Sequence, residues 1–200
     1  FKQASAFDQD LNAWDMSSAT STNSMFENAT SFNGAIGDWE TGLVERMDKM
    51  FYACDSLNQS LNSWDVSSVT EMGSMFYSAD SFDQDLNNWD VSSVKNMANM
   101  FAFTDSFNGN ISNWNVGNVT SMDNLFRSTD SFNQQLNSWD VSQLKRTEGM
   151  FNNAIAFNQP LNDWDVSAVT SMDGMFDGAE VFNQNLDAWD VSNVKSMEEL

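Results

Sequence analysis

The stretch Leu86-Asn87-Asn88-Trp89-Asp90-Val91-Ser92-Ser93-Val94 returns with few changes every 25 residues along this chain of 200 residues. All 8 tryptophans occupy one position of the repeat. They are Trp14, Trp39, Trp64, Trp89, Trp114, Trp139, Trp164 and Trp189. A period of this length without insertions predicts a tandem-repeat protein whose units stack and cover one another's apolar faces.

Each unit carries two apolar patterns. Trp164 and Val166 flank Asp165, and this alternation is typical of a short strand. From Met172, apolar residues follow at offsets 3, 4, 7 and 10, the stripe of a helix with one buried face. The sequence therefore predicts an α/β repeat solenoid of leucine-rich-repeat type, with a parallel β-sheet on one face and short helices on the other. We expect residues 1–200 to form a single such domain, a slice of a longer array that lacks its caps.

The tryptophan column is predicted to lie in the interior. The alternative is an exposed aromatic platform for sugar rings. Trp89 shares its side of the predicted strand with Val91, however, so exposing the indole would expose the valine as well. The single cysteine, Cys54, stands in a column of small residues and is expected to be a buried filler.

The stretch from Leu86 to Val94, followed by Met97, Met100-Phe101 and Phe107-Asn108, resembles the BspA-like branch of the leucine-rich repeats. The resemblance implies a right-handed solenoid and a secreted or surface protein of the adhesin type. Val94 stands where many leucine-rich repeats have asparagine, so we expect the asparagine ladder of that fold to be absent.

Composition disfavours several functions. The formal charge of -21 would repel a phosphate backbone, which argues against nucleic acid as a partner. The chain has no histidine, the commonest general base and transition-metal ligand. Paired acids such as Asp8 and Asp10 recur in a repeat context that implies no cleft. The sequence therefore predicts a protein that is not an enzyme. It contains no apolar run long enough for membrane insertion.

One column, between the tryptophan and the valine, is almost entirely acidic, and a serine column follows two residues later. The acidic column is Asp15, Glu40, Asp65, Asp90, Asn115, Asp140, Asp165 and Asp190. Strand alternation predicts that both columns point away from the core. The predicted partner-binding residues are Asp65, Asp90, Asp140, Asp165, Ser67, Ser92, Ser142 and Ser167. The alternative is a plain solvated face.

The same column is a candidate ladder for weakly bound calcium, because hard cations prefer clustered oxygen ligands. The candidate ligands are Asp15, Asp65, Asp90, Asp140, Asp165 and Asp190. No dedicated calcium loop accompanies them, and no other cofactor or metal is predicted.

Two functions remain open. The first is an extracellular or cell-surface recognition and adhesion module that presents the acidic face to a protein or glycan partner. The second is a structural repeat that self-associates through uncapped ends or lateral faces into a filament or wall layer.

Overall fold

A computed structural model describes residues 1–200 and shows that each 25-residue unit makes one coil that stacks on the next. Backbone hydrogen bonds join equivalent parts of neighbouring coils. The N–H of Ser74 donates to the carbonyl of Ala98 (2.8 Å), and the N–H of Phe76 donates to that of Met100 (2.9 Å). The chain is therefore a stack of eight coils, which we number 1 to 8 in chain order.

Tight turns carry the chain around each coil. In coil 4 and its junction with coil 3, the N–H of Met75 donates to the carbonyl of Met72, and the N–H of Ala79 donates to that of Phe76. Ser74 and Ser78, the third residues of these two turns, have φ of 56° and 51°. A positive φ at the third position is the mark of a type II turn. Because the same two positions are left-handed in every coil, no helix can run through this segment.

The predicted α/β solenoid with a parallel sheet and helices is therefore wrong. The structure contains no helix, and strand-like pairing is limited to isolated parallel bridges between residues 25 apart. The bridges are Ser21↔Arg46, Arg46↔Glu71, Glu71↔Asn96, Asn96↔Ser121, Ser121↔Arg146, Arg146↔Ser171 and Ser171↔Ser196. No helix has the length and apolar character that a membrane span requires.

The apolar spacing that predicted a helix arises instead from two successive turns. A turn that starts at Met172 ends at Met175, and the next runs from Phe176 to Ala179. The first and last residues of each turn point inward, so apolar residues recur at offsets 0, 3, 4 and 7, as they would on a helix. Gly174, the third residue of the first turn, is left-handed (φ 60°), and this conformation distinguishes the pair of turns from a helix.

The core is a set of aromatic stacks that run along the axis. Phe76 and Phe101 stack with ring centroids 5.5 Å apart, and Trp89 and Trp114 with centroids 6.3 Å apart. Trp89 is 3% exposed while Asp90 is exposed, which confirms the predicted inward and outward directions at this step of the repeat. The predicted burial of Cys54 is confirmed as well.

Each buried indole also has a polar partner in the coil before it. The Nε1–H of Trp89 donates to the carbonyl of Leu61 (2.8 Å), and that of Trp114 donates to the carbonyl of Leu86 (2.9 Å). The bond recurs in every coil from the second to the eighth. The tryptophan column therefore fixes the distance between coils through a directional bond as well as through packing.

No asparagine ladder runs along the column of Val94, which is buried, but a ladder of another kind is present. This ladder runs along the column formed by the eighth residue of each unit. In it, the side-chain oxygen of Asn33 accepts from the N–H of Asn58 (2.8 Å), and that of Asn58 accepts from Asp83 (3.0 Å). The ladder comprises Asp8, Asn33, Asn58, Asp83, Asn108, Asn133, Asn158 and Asn183. These side chains accept hydrogen bonds from backbone N–H groups that would be paired by a neighbouring strand in a β-sheet.

Candidate functional site

The acidic column extends across the eight coils, with the neutral Asn115 in coil 5, and we call it the acidic row. Asp90 lies between the turn from Leu86 to Trp89 and the turn from Val91 to Val94. Its neighbours Trp89 and Val91 are buried, and its own side chain is exposed. The turns therefore place one acidic side chain on the surface in almost every coil.

Each aspartate of the acidic row is held by the serine two residues later. The Oδ1 of Asp65 accepts from the backbone N–H of Ser67 (3.0 Å) and from its hydroxyl (2.6 Å). Asp90 accepts from the N–H of Ser92 (3.0 Å). The same N–H bond recurs at Asp15, Asp140, Asp165 and Asp190. This local bond fixes the carboxylate orientation without help from the neighbouring coils.

These bonds stabilise the ionised form of Asp65 and Asp90. Hydrogen bonds from Ser67 hold the pKa of Asp65 below its ordinary value, and Ser92 does the same for the pKa of Asp90. Repulsion from Asp65 raises the pKa of Asp90, but this is the weakest of its contributions. Serine bonds also lower the pKa values of Asp15, Asp165 and Asp190. The acidic row is therefore a line of negative charge at neutral pH.

The structure places the predicted partner-binding residues together as pairs. Each aspartate lies against its own serine, so the Ser67 hydroxyl is already engaged and the carboxylate is the group offered to a partner. No three carboxylate or thiol groups come close enough to hold a metal ion. Calcium binding along the acidic row stays a prediction, for which the geometry offers single carboxylates. The thiol of Cys54 has its pKa raised to about 12 by burial and stays protonated.

Coil 2 departs from the aspartate and serine pattern of the acidic row. Glu40 replaces the aspartate and Gly42 the serine, and a pocket of about 490 Å³ opens beside them. Leu43, on its wall, is 59% exposed. The pocket lining is Ser17, Trp39, Glu40, Thr41, Gly42, Leu43, Ser63 and Asp65. Hydroxyls and carboxylates dominate this lining, so the pocket suits a polar group better than an apolar ligand.

A second line of acids was missed from the sequence. Asp55, Asp80, Asp105 and Asp130 are exposed in consecutive coils, and we call them the corner row. Partial loss of hydration raises the pKa of Asp80, with repulsion from Asp105 and Asp55 as the next causes. The pKa of Asp105 is raised for the same first reason, with Asp130 second. Four acids in a row at the repeat spacing were visible in the sequence and could have identified this line.

Comparison with known proteins identifies a family of unknown function. No curated protein matches the chain. One family model matches residues 1–113 and 102–200, which together span all eight coils. Its description is "Mycoplasma protein of unknown function, DUF285". On that match, the chain belongs to the DUF285 family.

Proposed function

We propose that this protein is an extracellular or cell-surface recognition module that binds a protein or glycan partner through the acidic row. The observation that carries the proposal is the serine-held carboxylate, exposed and ionised in coil after coil. A side chain fixed before binding loses little conformational freedom when a partner arrives. The repeated row therefore offers a partner several contacts at low entropic cost.

Two further observations support this function. The pocket of coil 2 lies on the same row, beside Glu40 and Asp65, and adds a concave polar feature to a periodic surface. The stretch from Leu86 to Val94 resembles repeats of BspA-like surface proteins, which supports a location outside the cell. Charge along the row would steer a cationic partner and hold its register.

The test is charge reversal on the acidic row. We expect the double variant Asp140→Lys/Asp165→Lys to lose binding to a panel of immobilised cell-surface glycans and matrix proteins, measured by surface plasmon resonance. Lys49→Glu, a charge reversal at an exposed residue outside the acidic row, is the control and should bind as the wild type does. Loss of binding only with Lys49→Glu would show that the face is misassigned. Concentration-dependent self-association without binding to any panel member would favour the structural repeat instead.

A further inference from the structure

The pocket of coil 2 coincides with three departures from the repeat. Glu40 stands where six of the other seven coils have aspartate, and Gly42 stands where six of them have serine. Leu43 stands where the other coils have serine, asparagine, glutamine or alanine. All three residues line the pocket. The features that make coil 2 different from its neighbours therefore lie together in one cavity.

The substitution of Glu40 and Gly42 leaves the turn of coil 2 open. In the other seven coils, the residue equivalent to Glu40 accepts from the N–H two residues later. The side chain of Glu40 is one methylene longer than aspartate and makes no hydrogen bond or ion pair, and the N–H of Gly42 has no partner in the protein. A carboxylate and a backbone donor are therefore both free at the pocket.

The neighbouring coils add two more acceptors. The Oδ2 of Asp65 receives no hydrogen bond, and Gly42 leaves room for it, because a Cβ at residue 42 would lie 2.9 Å from this oxygen. In coil 3, the hydroxyl of Ser68 donates to the carbonyl of the coil before it (2.8 Å). Leu43 has no such donor, so the equivalent carbonyl, that of Ser17, is free.

The side-chain donors of the pocket are already engaged. The hydroxyls of Ser17, Thr41 and Ser63 each donate to an acceptor of the protein, at distances of 2.6 to 2.8 Å. The indole N–H of Trp39 donates to the coil before it. No side-chain donor of the lining is left, whereas two carboxylates are free. This balance favours an occupant that donates hydrogen bonds and carries positive charge.

Leu43 narrows the choice of cation. Its side chain is 59% exposed on the pocket wall. A bare metal ion gains nothing from an apolar wall, and no three carboxylate or thiol groups lie close enough to hold one. A lysine side chain combines an ammonium group, which has three donors, with an apolar stem that packs along hydrophobic surface. The volume of about 490 Å³ has room for such a side chain.

We propose that the pocket of coil 2 binds a lysine side chain of a protein partner. The ammonium group donates to Glu40, to the Oδ2 of Asp65 and to the carbonyl of Ser17, and the stem lies on Leu43. The N–H of Gly42 is left to donate to a main-chain carbonyl of the partner. This inference rests on the proposed function, because the pocket lies on the acidic row, and it assigns the partner to the proteins.

The test is an amide NMR titration of the chain with a blocked tripeptide of glycine, lysine and glycine. We expect a Kd on the order of 1 mM, with the signal of Gly42 among those that shift. The decisive variant is Glu40→Asp/Gly42→Ser, which restores the pattern of the other coils and keeps the net charge. It should close the turn and raise the Kd about tenfold, without lowering the thermal midpoint. Leu43→Ser should raise the Kd about threefold.

Two controls separate the pocket from general attraction by negative charge. Asp140→Asn/Asp165→Asn removes two charges from the acidic row outside the pocket and should leave the Kd within roughly twofold. A tripeptide with acetylated lysine should not bind. An unchanged Kd for Glu40→Asp/Gly42→Ser would overturn the proposal, because binding would then follow net charge alone. Tighter binding of glucosamine than of the lysine tripeptide would also overturn it, since the pocket would then suit a glycan.

The pocket and the proposed function can fail separately. If Asp140→Lys/Asp165→Lys abolishes binding to an immobilised partner but the lysine tripeptide leaves the Gly42 signal unmoved, only the inference about the pocket is overturned. If the tripeptide binds as expected and the wild type binds no member of the partner panel, the proposed function is overturned while the lysine site stands.

Discussion

The acidic row and the corner row repeat at the same coil spacing and are both exposed, yet the pKa values of Asp90 and Asp80 shift in opposite directions. The pKa of Asp90 is lowered by its serine, although Asp65 repels it. The pKa of Asp80 is raised by lost hydration and by its neighbours. Repulsion between aspartates of neighbouring coils raises the pKa in both rows, so it does not explain the difference. The serine hydrogen bonds therefore decide the direction of the pKa shift at Asp90, and lost hydration decides it at Asp80.

The position of each aspartate relative to its turn explains the difference. Asp90 precedes its turn, so the N–H of Ser92 is free to donate to it (3.0 Å). Asp80 lies inside its turn, and the N–H two residues later, on Phe82, donates to the carbonyl of Ala79 (2.9 Å). A carboxylate of the corner row therefore lacks the backbone donor that stabilises one of the acidic row.

The largest expected effect comes from the scaffold that spaces both rows. Trp89→Ala removes a ring that stacks on Trp114 and an indole N–H bonded to Leu61, so we expect a loss of about 3–5 kcal/mol in the free energy of unfolding. Asp90→Asn keeps the position of the side chain and should be nearly neutral. Urea denaturation of both variants measures the contrast. Equal and small losses would contradict the inward and outward assignment.

A smaller effect is expected from removing one serine of the acidic row. Ser67→Ala deletes the hydroxyl bond to Asp65 and should raise the pKa of that carboxyl toward its ordinary value. Because the folded pKa of Asp65 is lowered, its stabilisation is present above the unfolded value of 3.8 and is lost as pH falls through the folded value.

Solvent screening limits the expected loss for Ser67→Ala to about 1 kcal/mol or less at neutral pH. We expect the thermal midpoints of the variant and the wild type to converge in strong acid. A difference that stays constant down to the lowest pH would indicate that the serine acts through packing and not through the carboxylate.

The smallest effect should have the opposite sign. Asp80→Asn removes a carboxylate whose charged form is disfavoured by desolvation and repulsion. It should therefore raise the free energy of unfolding at neutral pH by less than about 0.5 kcal/mol, and the thermal midpoint should rise slightly with it. The raised folded pKa means that the wild type gains stability as pH falls and Asp80 is protonated, so the advantage of the variant should disappear in acid. A lower midpoint for Asp80→Asn than for the wild type at pH 7 would contradict this assignment.

The repeat length and the directions of Trp89 and Asp90 could be predicted, because buried positions are occupied by apolar residues that recur every 25 residues. The apolar spacing could not show that the predicted helices are absent. Turns that begin at Met172 and Phe176 give the apolar spacing of a helix, and only the left-handed backbone separates the two structures. Ser74 and Lys49 hold that conformation without glycine, so the sequence carries no clear signal for it.

The candidate site was predictable in part. The acidic row was visible because Asp65 and Asp90 alternate with buried residues. The bond from Ser67 to Asp65 required knowledge of the turn, since two residues that far apart on a strand would point the same way without making this bond. The asparagine ladder at Asn58 and its equivalents was missed because the prediction considered only the column of Val94.

Carboxyl-carbon NMR titration of the aspartates tests most directly whether the local turn sets the charge of each row. We predict that Asp65 and Asp90 titrate with pKa values below 3.8, and that Asp80 and Asp105 titrate above it. The two groups should separate in the same sample and at the same ionic strength. Overlapping titrations, or values above 3.8 for Asp65 and Asp90, would contradict the account, because repulsion along the stack would then outweigh the serine bonds.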